Sequence, residues 1–337
     1  MEEVKGNKKN LKNISFILGV LAGKGGVGKS TLTAELAKAF QREGKKVGVL
    51  DGDIYGPSLR HLLPETESPL VQGDKVIPAL SRGIKVMSVA YFPRNKGPSV
   101  LRAPIANQIV TQFIEEVEWG SLDVLLVDFP PGTGDVQISL MQKLFFNGAV
   151  AVTTPQELSL LDVRKSMQMS IQMGVPLLGV VENMSFFLEP GSEKKHRLFG
   201  EGGGKILSEE FQVPLLAEIP IDPFLNRKDG EGKSTLLFDK LGKEILSGFN
   251  EEKGCKIGEE DQYHFSIEWL DGKKSLYRYD KVQSYCPCVG CLGEKEVLSN
   301  VMGEKIVRVG NYGIQIAFTD GCSKGIYPFS LLRDIDR

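Results

Sequence analysis

Gly23-Lys24-Gly25-Gly26-Val27-Gly28-Lys29-Ser30 fits the spacing G-x-x-x-x-G-K-[ST], a loop that binds phosphate. Its glycines let backbone N–H groups wrap the phosphates of a nucleotide. Lys29 is placed for the β/γ-phosphates, and the Ser30 hydroxyl is placed for Mg²⁺. Acids stand at the ends of two later apolar runs. In Leu50-Asp51-Gly52-Asp53, Asp53 is the candidate for orienting the attacking water and Asp51 for supporting the metal shell. Asp128 closes the run Val124–Val127, the Walker B arrangement, and Pro130-Pro131-Gly132-Thr133-Gly134-Asp135 follows as a turn-rich loop able to move when the γ-phosphate departs. A second chemistry lies far downstream. Cys286-Pro287-Cys288-Val289-Gly290-Cys291 is a C-x-C-x-x-C run, the spacing of a metal site, and Cys322 after the Asp320-Gly321 turn can supply a fourth thiolate. Four thiolates suit Zn²⁺, and they also fit a [2Fe–2S] or [4Fe–4S] cluster.

These residues need particular elements to hold them. Phe16 to Leu21 reads as a short buried strand, and Thr31 to Phe40 has helical spacing, so the phosphate loop lies between strand and helix. Further apolar runs at 46–50, 123–127, 149–152 and 177–181 alternate with helical segments at 106–117 and 159–173. That alternation predicts an α/β P-loop fold, a mostly parallel sheet covered by helices on both faces. The expected organisation is a polar tail (1–14), an ATPase domain (15–248), a linker (249–258) and a small β-rich cysteine–metal domain (259–337). In the last, Phe265, Ile267 and Trp269 alternate up to Asp271-Gly272, a hairpin turn, with 275–279 returning. A second alternating run covers 312–318.

The chain has 337 residues, with Lys+Arg 41 against Asp+Glu 43 and a formal charge of −2, which offers no electrostatic case for nucleic acid or a membrane surface. Five cysteines, three of them within six residues, point to metal binding in a reducing cytoplasm rather than to a secreted disulfide framework. Lys5, Lys8, Lys9 and Lys12 before Ile14 to Ala22 imitate a signal peptide, but that apolar run leads directly into the phosphate loop and reads as the first strand. No stretch approaches the ~20 apolar residues of a membrane span.

Lys24 directly after the first glycine resembles the deviant Walker A motif of the MinD, ArsA, nitrogenase-iron-protein and Mrp group of ATPases. That resemblance implies a homodimer in which Lys24 reaches the partner's nucleotide and supplies positive charge to the phosphoryl-transfer transition state. With Asp51 to Ser58, Asp128 to Asp135, Thr154-Pro155-Gln156 and Val181-Glu182-Asn183-Met184-Ser185, residues 14–248 resemble the Mrp/ApbC family of ATP-binding iron–sulfur cluster carriers. The resemblance implies slow ATP hydrolysis, cluster delivery to apo-proteins, and Asn183 on the adenine with the segment Pro220-Ile221-Asp222-Pro223 flanking it. The C-terminal segment is similar to the N-terminal zinc domain of γ-butyrobetaine hydroxylases, with Cys322 where that domain has a histidine.

The chain departs from the family in one place. Members that carry a cluster place C-x-x-C shortly after the E-N-M-S segment, and here Glu189 and Ser192 stand at those positions. Hard oxygen ligands replace thiolates poorly on a cluster. Two readings therefore stand: a cluster carrier whose thiolates lie in the C-terminal domain, or a MinD-like nucleotide-gated adaptor with a structural zinc module that binds partners. Cys255 reads as a bystander, and His61, His196 and His264 receive no role.

Overall fold

Short, largely apolar strands build the core of the first of two compact units in a computed structural model that describes residues 11, 13–92, 103–189, 191–192, 194–222, 235–252, 255–269, 271–286, 291, 298–309, 313–323 and 325–336. The chain divides into two compact units, Met1–Lys243 and Glu244–Arg337.

The first unit opens with β1 (Ile14–Ala22), α1 (Lys29–Arg42), β2 (Val47–Asp51) and α2 (Leu59–Leu62). Four short strands follow, β3 (Leu70–Gln72), β4 (Lys75–Ile77), β5 (Ala79–Ser81) and β6 (Ile84–Met87). Then come α3 (Ala103–Glu116), β7 (Leu122–Asp128), α4 (Asp135–Lys143), β8 (Gly148–Thr153) and α5 (Glu157–Gln172). β9 (Leu177–Leu188), β10 (Lys195–His196), α6 (Gly203–Phe211), β11 (Leu215–Pro220) and α7 (Thr235–Glu252) complete the series.

The main sheet has the order β10-β9-β8-β1-β7-β2-β6-β5, with β11 also on β9. Its central pairs β8/β1, β1/β7, β7/β2 and β2/β6 are all parallel, and only β5 and β10 at the edges run antiparallel. Every residue of β2 and β8 is buried, as expected for strands with helices over their faces. The sheet is the mostly parallel P-loop architecture that the alternating pattern predicts. β3 and β4 pair as a separate hairpin, which the sequence pattern did not reveal. Among the described residues no helix is long and apolar enough to cross a membrane.

The second unit holds two three-stranded antiparallel sheets. One is β12 (Lys256–Glu259), β13 (His264–Glu268) and β14 (Lys274–Arg278), followed by α8 (Tyr279–Ser284). The other is β15 (Gly303–Val309), β16 (Gly313–Phe318) and β17 (Ile326–Pro328), followed by α9 (Phe329–Ile335). Its core is aromatic: Phe265 stacks on Tyr277 with centroids 5.1 Å apart, and Phe318 meets Tyr327 edge-on at 6.1 Å.

The stretch read as a linker, 249–258, is mostly regular structure. α7 continues to Glu252, because adding residues to a helix already nucleated asks only for reasonable propensity, which Glu251-Glu252 have. Lys256 to Gly258 belong to β12, whose ladder partner β13 is distant from anything the local pattern could show.

Candidate functional site

The phosphate loop is the β1–α1 connection, and two of its glycines have steric reasons to be there. A Cβ on Gly23 would lie 2.0 Å from the backbone nitrogen of Val163, so α5 packs directly against the loop. Gly28 caps α1 at φ 89°, and a Cβ there would meet Asn183 Nδ2 at 2.1 Å. Between them Gly25, Gly26 and Val27 form the crest, and α1 starts at Lys29 with Ser30 and Thr31 in its first turn. The N–H groups of such a helix start face an anion together with the positive end of the helix dipole.

Beneath the loop Asp128 gathers three partners. Lys29 Nζ lies 2.8 Å from its Oδ2, the Ser30 hydroxyl donates to Oδ2 at 2.6 Å, and the Thr33 hydroxyl donates to Oδ1 at 2.8 Å. Lys29 and Asp128 are both buried. The hydroxyl and the carboxylate expected around Mg²⁺ are therefore adjacent. This set suits a hard, oxygen-bound cation that keeps several waters.

The β2–β7 register places Asp51 opposite Asp128, so two buried carboxylates share one corner. Burial first, and the Asp128 charge second, push the Asp51 carboxyl up to about 7. The Ser88 hydroxyl, donating at 2.7 Å, and Lys29 oppose that rise. Asp51 Oδ1 accepts the Asp53 N–H at 3.1 Å. Asp53 itself closes the next turn, its Oδ1 accepting the Gly56 N–H at 3.0 Å. The loop after Asp128 is tied to the phosphate loop's strand: the Gly132 N–H donates to Ala22 O at 3.0 Å, and the Ser166 hydroxyl to Gly132 O at 2.9 Å.

Lys24 stands apart from this buried set, with Nζ 3.4 Å from Gln156 Oε1. Asn183, expected on the adenine, donates from Nδ2 to Val27 O at 2.8 Å and braces the loop from β9. Pro220 ends β11 opposite Phe186 of the same β9, and Asp222 follows two residues on. Pro223 lies outside the described residues. At the family's C-x-x-C positions, Glu189 Oε2 lies 3.3 Å from His196 Nε2, and the Ser192 hydroxyl accepts the Lys194 N–H at 3.0 Å. His196, given no role from sequence, thus pairs with Glu189 through the β9–β10 ladder.

In the second unit the Sγ atoms of Cys286, Cys291 and Cys322 all lie within 4.8 Å of one another, with Cys286 and Cys322 3.8 Å apart. Cys288 lies outside the described residues. Thiolates at ~2.3 Å from one tetrahedral ion are about 3.8 Å apart. In a [4Fe–4S] cluster each thiolate sits on a different iron, which spreads them further. Cys286 follows α8 and Cys322 follows β16, and the Gln283 side chain joins the two segments by donating to Asp320 O. Cys255 is buried in the core of this unit and is not in the thiol group.

The Tyr327 phenol is fully buried beside these thiols, and its hydroxyl has no nitrogen or oxygen partner among the described residues, its polar neighbour being the Cys286 sulfur. Burial and then the nearby sulfurs, Cys286 first, hold its ionisation well above the ordinary tyrosine range. A thiol sulfur is only a weak acceptor for a hydroxyl so buried. A thiolate on a metal is a far better acceptor than a thiol. The donor set and a buried hydroxyl whose only polar neighbours are sulfurs together fit a bound cation at this place.

A family profile described as NUBPL iron-transfer P-loop NTPase, within ParA, matches residues 13–250. The chain belongs to this iron-transfer P-loop NTPase family. A second profile, gamma-butyrobetaine hydroxylase-like, N-terminal, matches residues 258–333. An iron-sulfur cluster carrier protein of Methanocaldococcus jannaschii is 42% identical over 79% of this chain and 89% of its own. One of Pseudomonas fragi is 42% identical over 68% of this chain and 81% of its own. Among solved structures, a nucleotide-binding protein of Archaeoglobus fulgidus in complex with ADP is 39% identical, with a TM-score of 0.56, over 70% of this chain and 90% of its own. As a member of the iron-transfer NTPases, the chain is a nucleotide-binding P-loop protein.

Several residues of this NTPase site were not singled out by local pattern. Thr33 had a signal, lying one helical turn beyond Lys29 and so on the same face. Ser88 and Ser166 had none, since each reaches its partner only through the fold. Glu182, quoted only as part of a motif, is buried and accepts the Gly204 N–H at 2.5 Å, which pins the start of α6 to β9.

Proposed function

We propose that this chain is an ATP-binding and ATP-hydrolysing carrier that transfers iron–sulfur clusters to apo-proteins as a homodimer. The observation that carries the ATPase part is the convergence of Lys29, Ser30 and Thr33 on Asp128 directly beneath the phosphate loop. The names of its relatives support the cargo. Mg²⁺, when bound, supplies positive charge to the β- and γ-phosphate oxygens. Ser30 and Asp128 would hold it, directly or through its waters, with Asp51 supporting that shell. Lys29 faces the γ-phosphate of its own nucleotide. Lys24 lies outside the buried set and is available to the nucleotide of a second protomer. Asp53 orients the attacking water from the strand end. Asn183, which donates to the loop at Val27 O, contacts the adenine, and Pro220 and Asp222 flank the base. Client or scaffold proteins bind when ATP closes the dimer, and release follows hydrolysis. Cysteines 3.8 Å apart that are not joined by a disulfide suit a reducing cytoplasm.

A second reading rests on the thiol spacing and on Glu189 and Ser192. Three thiols within 4.8 Å suit one ion better than a cluster of four irons. In this reading Cys286, Cys288, Cys291 and Cys322 hold one structural Zn²⁺, and the ATPase is a nucleotide-gated adaptor. Metal analysis of anaerobically purified protein separates the two. Iron with matching acid-labile sulfide that falls in Cys322→Ser supports the carrier with its cluster in the second unit. About one zinc per chain without sulfide, even after reconstitution, refutes that placement and favours the adaptor.

A further inference from the structure

We propose that the Tyr327 hydroxyl is a hydrogen-bond donor to the metal-bound Cys286 thiolate and thereby sets how tightly the second unit holds its ion. The proposal rests on the one-ion reading of the thiol site. Tyr327 sits in β17, opposite Ile314 of β16, and its ring is packed edge-on against Phe318. For that packing alone a phenylalanine would serve, because the hydroxyl finds no nitrogen or oxygen partner among the described residues while it is shut away from water. The groups it faces are sulfurs: Cys286 foremost, then Cys322 and Cys291.

The chemistry of binding supplies what the phenol lacks. When a divalent cation displaces the thiol protons to solvent, each sulfur changes from a weak to a strong acceptor. Four thiolates on a divalent ion carry a net negative charge, so a donor aimed at the buried Cys286 is stabilising. Cys286 is the most buried of the three described ligands and has the least access to water for that purpose. Outer donors of this kind also fix ligand orientation, and their loss commonly weakens metal binding by about 10–100-fold. Tyr327 is thus a positioning residue that acts on the ion through Cys286.

Cobalt substitution of the full chain tests this, because sulfur-to-cobalt charge-transfer bands report the electron density on each thiolate. Wild type, Tyr327→Phe and a chain carrying 3-fluorotyrosine at position 327 are compared. Fluorotyrosine keeps the shape of tyrosine, so it folds even if Tyr327→Phe does not, and its phenol is a stronger donor. The expected series is a shift of the bands to longer wavelength in Tyr327→Phe and to shorter wavelength with fluorotyrosine. Zinc loss to a chelator should be about tenfold or more faster in Tyr327→Phe. Unchanged bands in both variants, with one cobalt per chain, overturn the hydrogen bond and leave the metal site standing. Absence of charge-transfer bands in wild type overturns the metal site itself and the proposal with it.

Discussion

Replacing Asp51 by Asn should make the nucleotide-free protein more stable at neutral and alkaline pH. Asp51 is buried opposite Asp128, and its carboxyl is pushed from 3.8 to about 7. Between those values the folded state binds a proton that the unfolded state does not. Stability therefore falls as pH rises through this window, and above about 7 the whole penalty is present. At 1.36 kcal/mol for each pH unit, the difference amounts to roughly 4 kcal/mol. Asn keeps the shape, can still accept the Asp53 N–H, and carries no charge beside Asp128. Wild type and variant should be equally stable near pH 4 and diverge until about pH 7, with the variant ahead by up to roughly 4 kcal/mol thereafter. For a domain of this size that corresponds to about 8–16 °C in melting temperature. The assay is calorimetry of both proteins in EDTA from pH 4 to 8, following the transition that ADP with Mg²⁺ moves upward. A difference that stays constant across this range, or one in which wild type gains on the variant, refutes the argument that burial beside Asp128 raises Asp51.

Two further substitutions separate the lysines. Lys29→Ala should abolish nucleotide binding in equilibrium dialysis and, by leaving the buried Asp128 without its cation, cost about 3–5 kcal/mol of stability. Lys24→Ala should keep nucleotide affinity but lower hydrolysis by about 10³-fold, and a wild-type rate would remove the trans-acting lysine from the mechanism. Gly23→Ala would drive a Cβ to 2.0 Å from the α5 backbone, whereas Gly25→Ala meets nothing within 4 Å. The first should lose about 2 kcal/mol or more in denaturant unfolding of the nucleotide-free chain and the second about 0.5 or less, with equal losses counting against the packing of α5 on the loop.

The phosphate loop was legible because strand, loop and helix follow one another within one stretch of chain, and the local spacing carries all of its chemistry. The same holds for the parallel architecture, which the alternation of apolar strands and helical segments requires, and for the Cys286–Cys291 run. The strand β12, in the stretch expected as a linker, was not legible for the opposite reason. Whether Lys256 to Gly258 form a strand depends on β13, and a ladder partner leaves no mark on the strand it will pair with.

Long-range register decided everything else about the sites. Asp51 and Asp128 are ordinary strand-end acids in sequence, and only the β2–β7 pairing makes them neighbours whose charges compete. Ser88 and Asn183 become site residues because β6 and β9 lead them to Asp51 and to the loop. Cys322 was placed near Cys286 by motif, but the closeness of the sulfurs and the burial of Tyr327 against them come from the second unit's packing. The sequence by itself thus determined which groups can bind a nucleotide and a metal, since those follow from residue type and near spacing. The tertiary structure alone decided which of them share a charge, a proton or a hydrogen bond, because those depend on distances between parts of the chain that sequence order does not constrain.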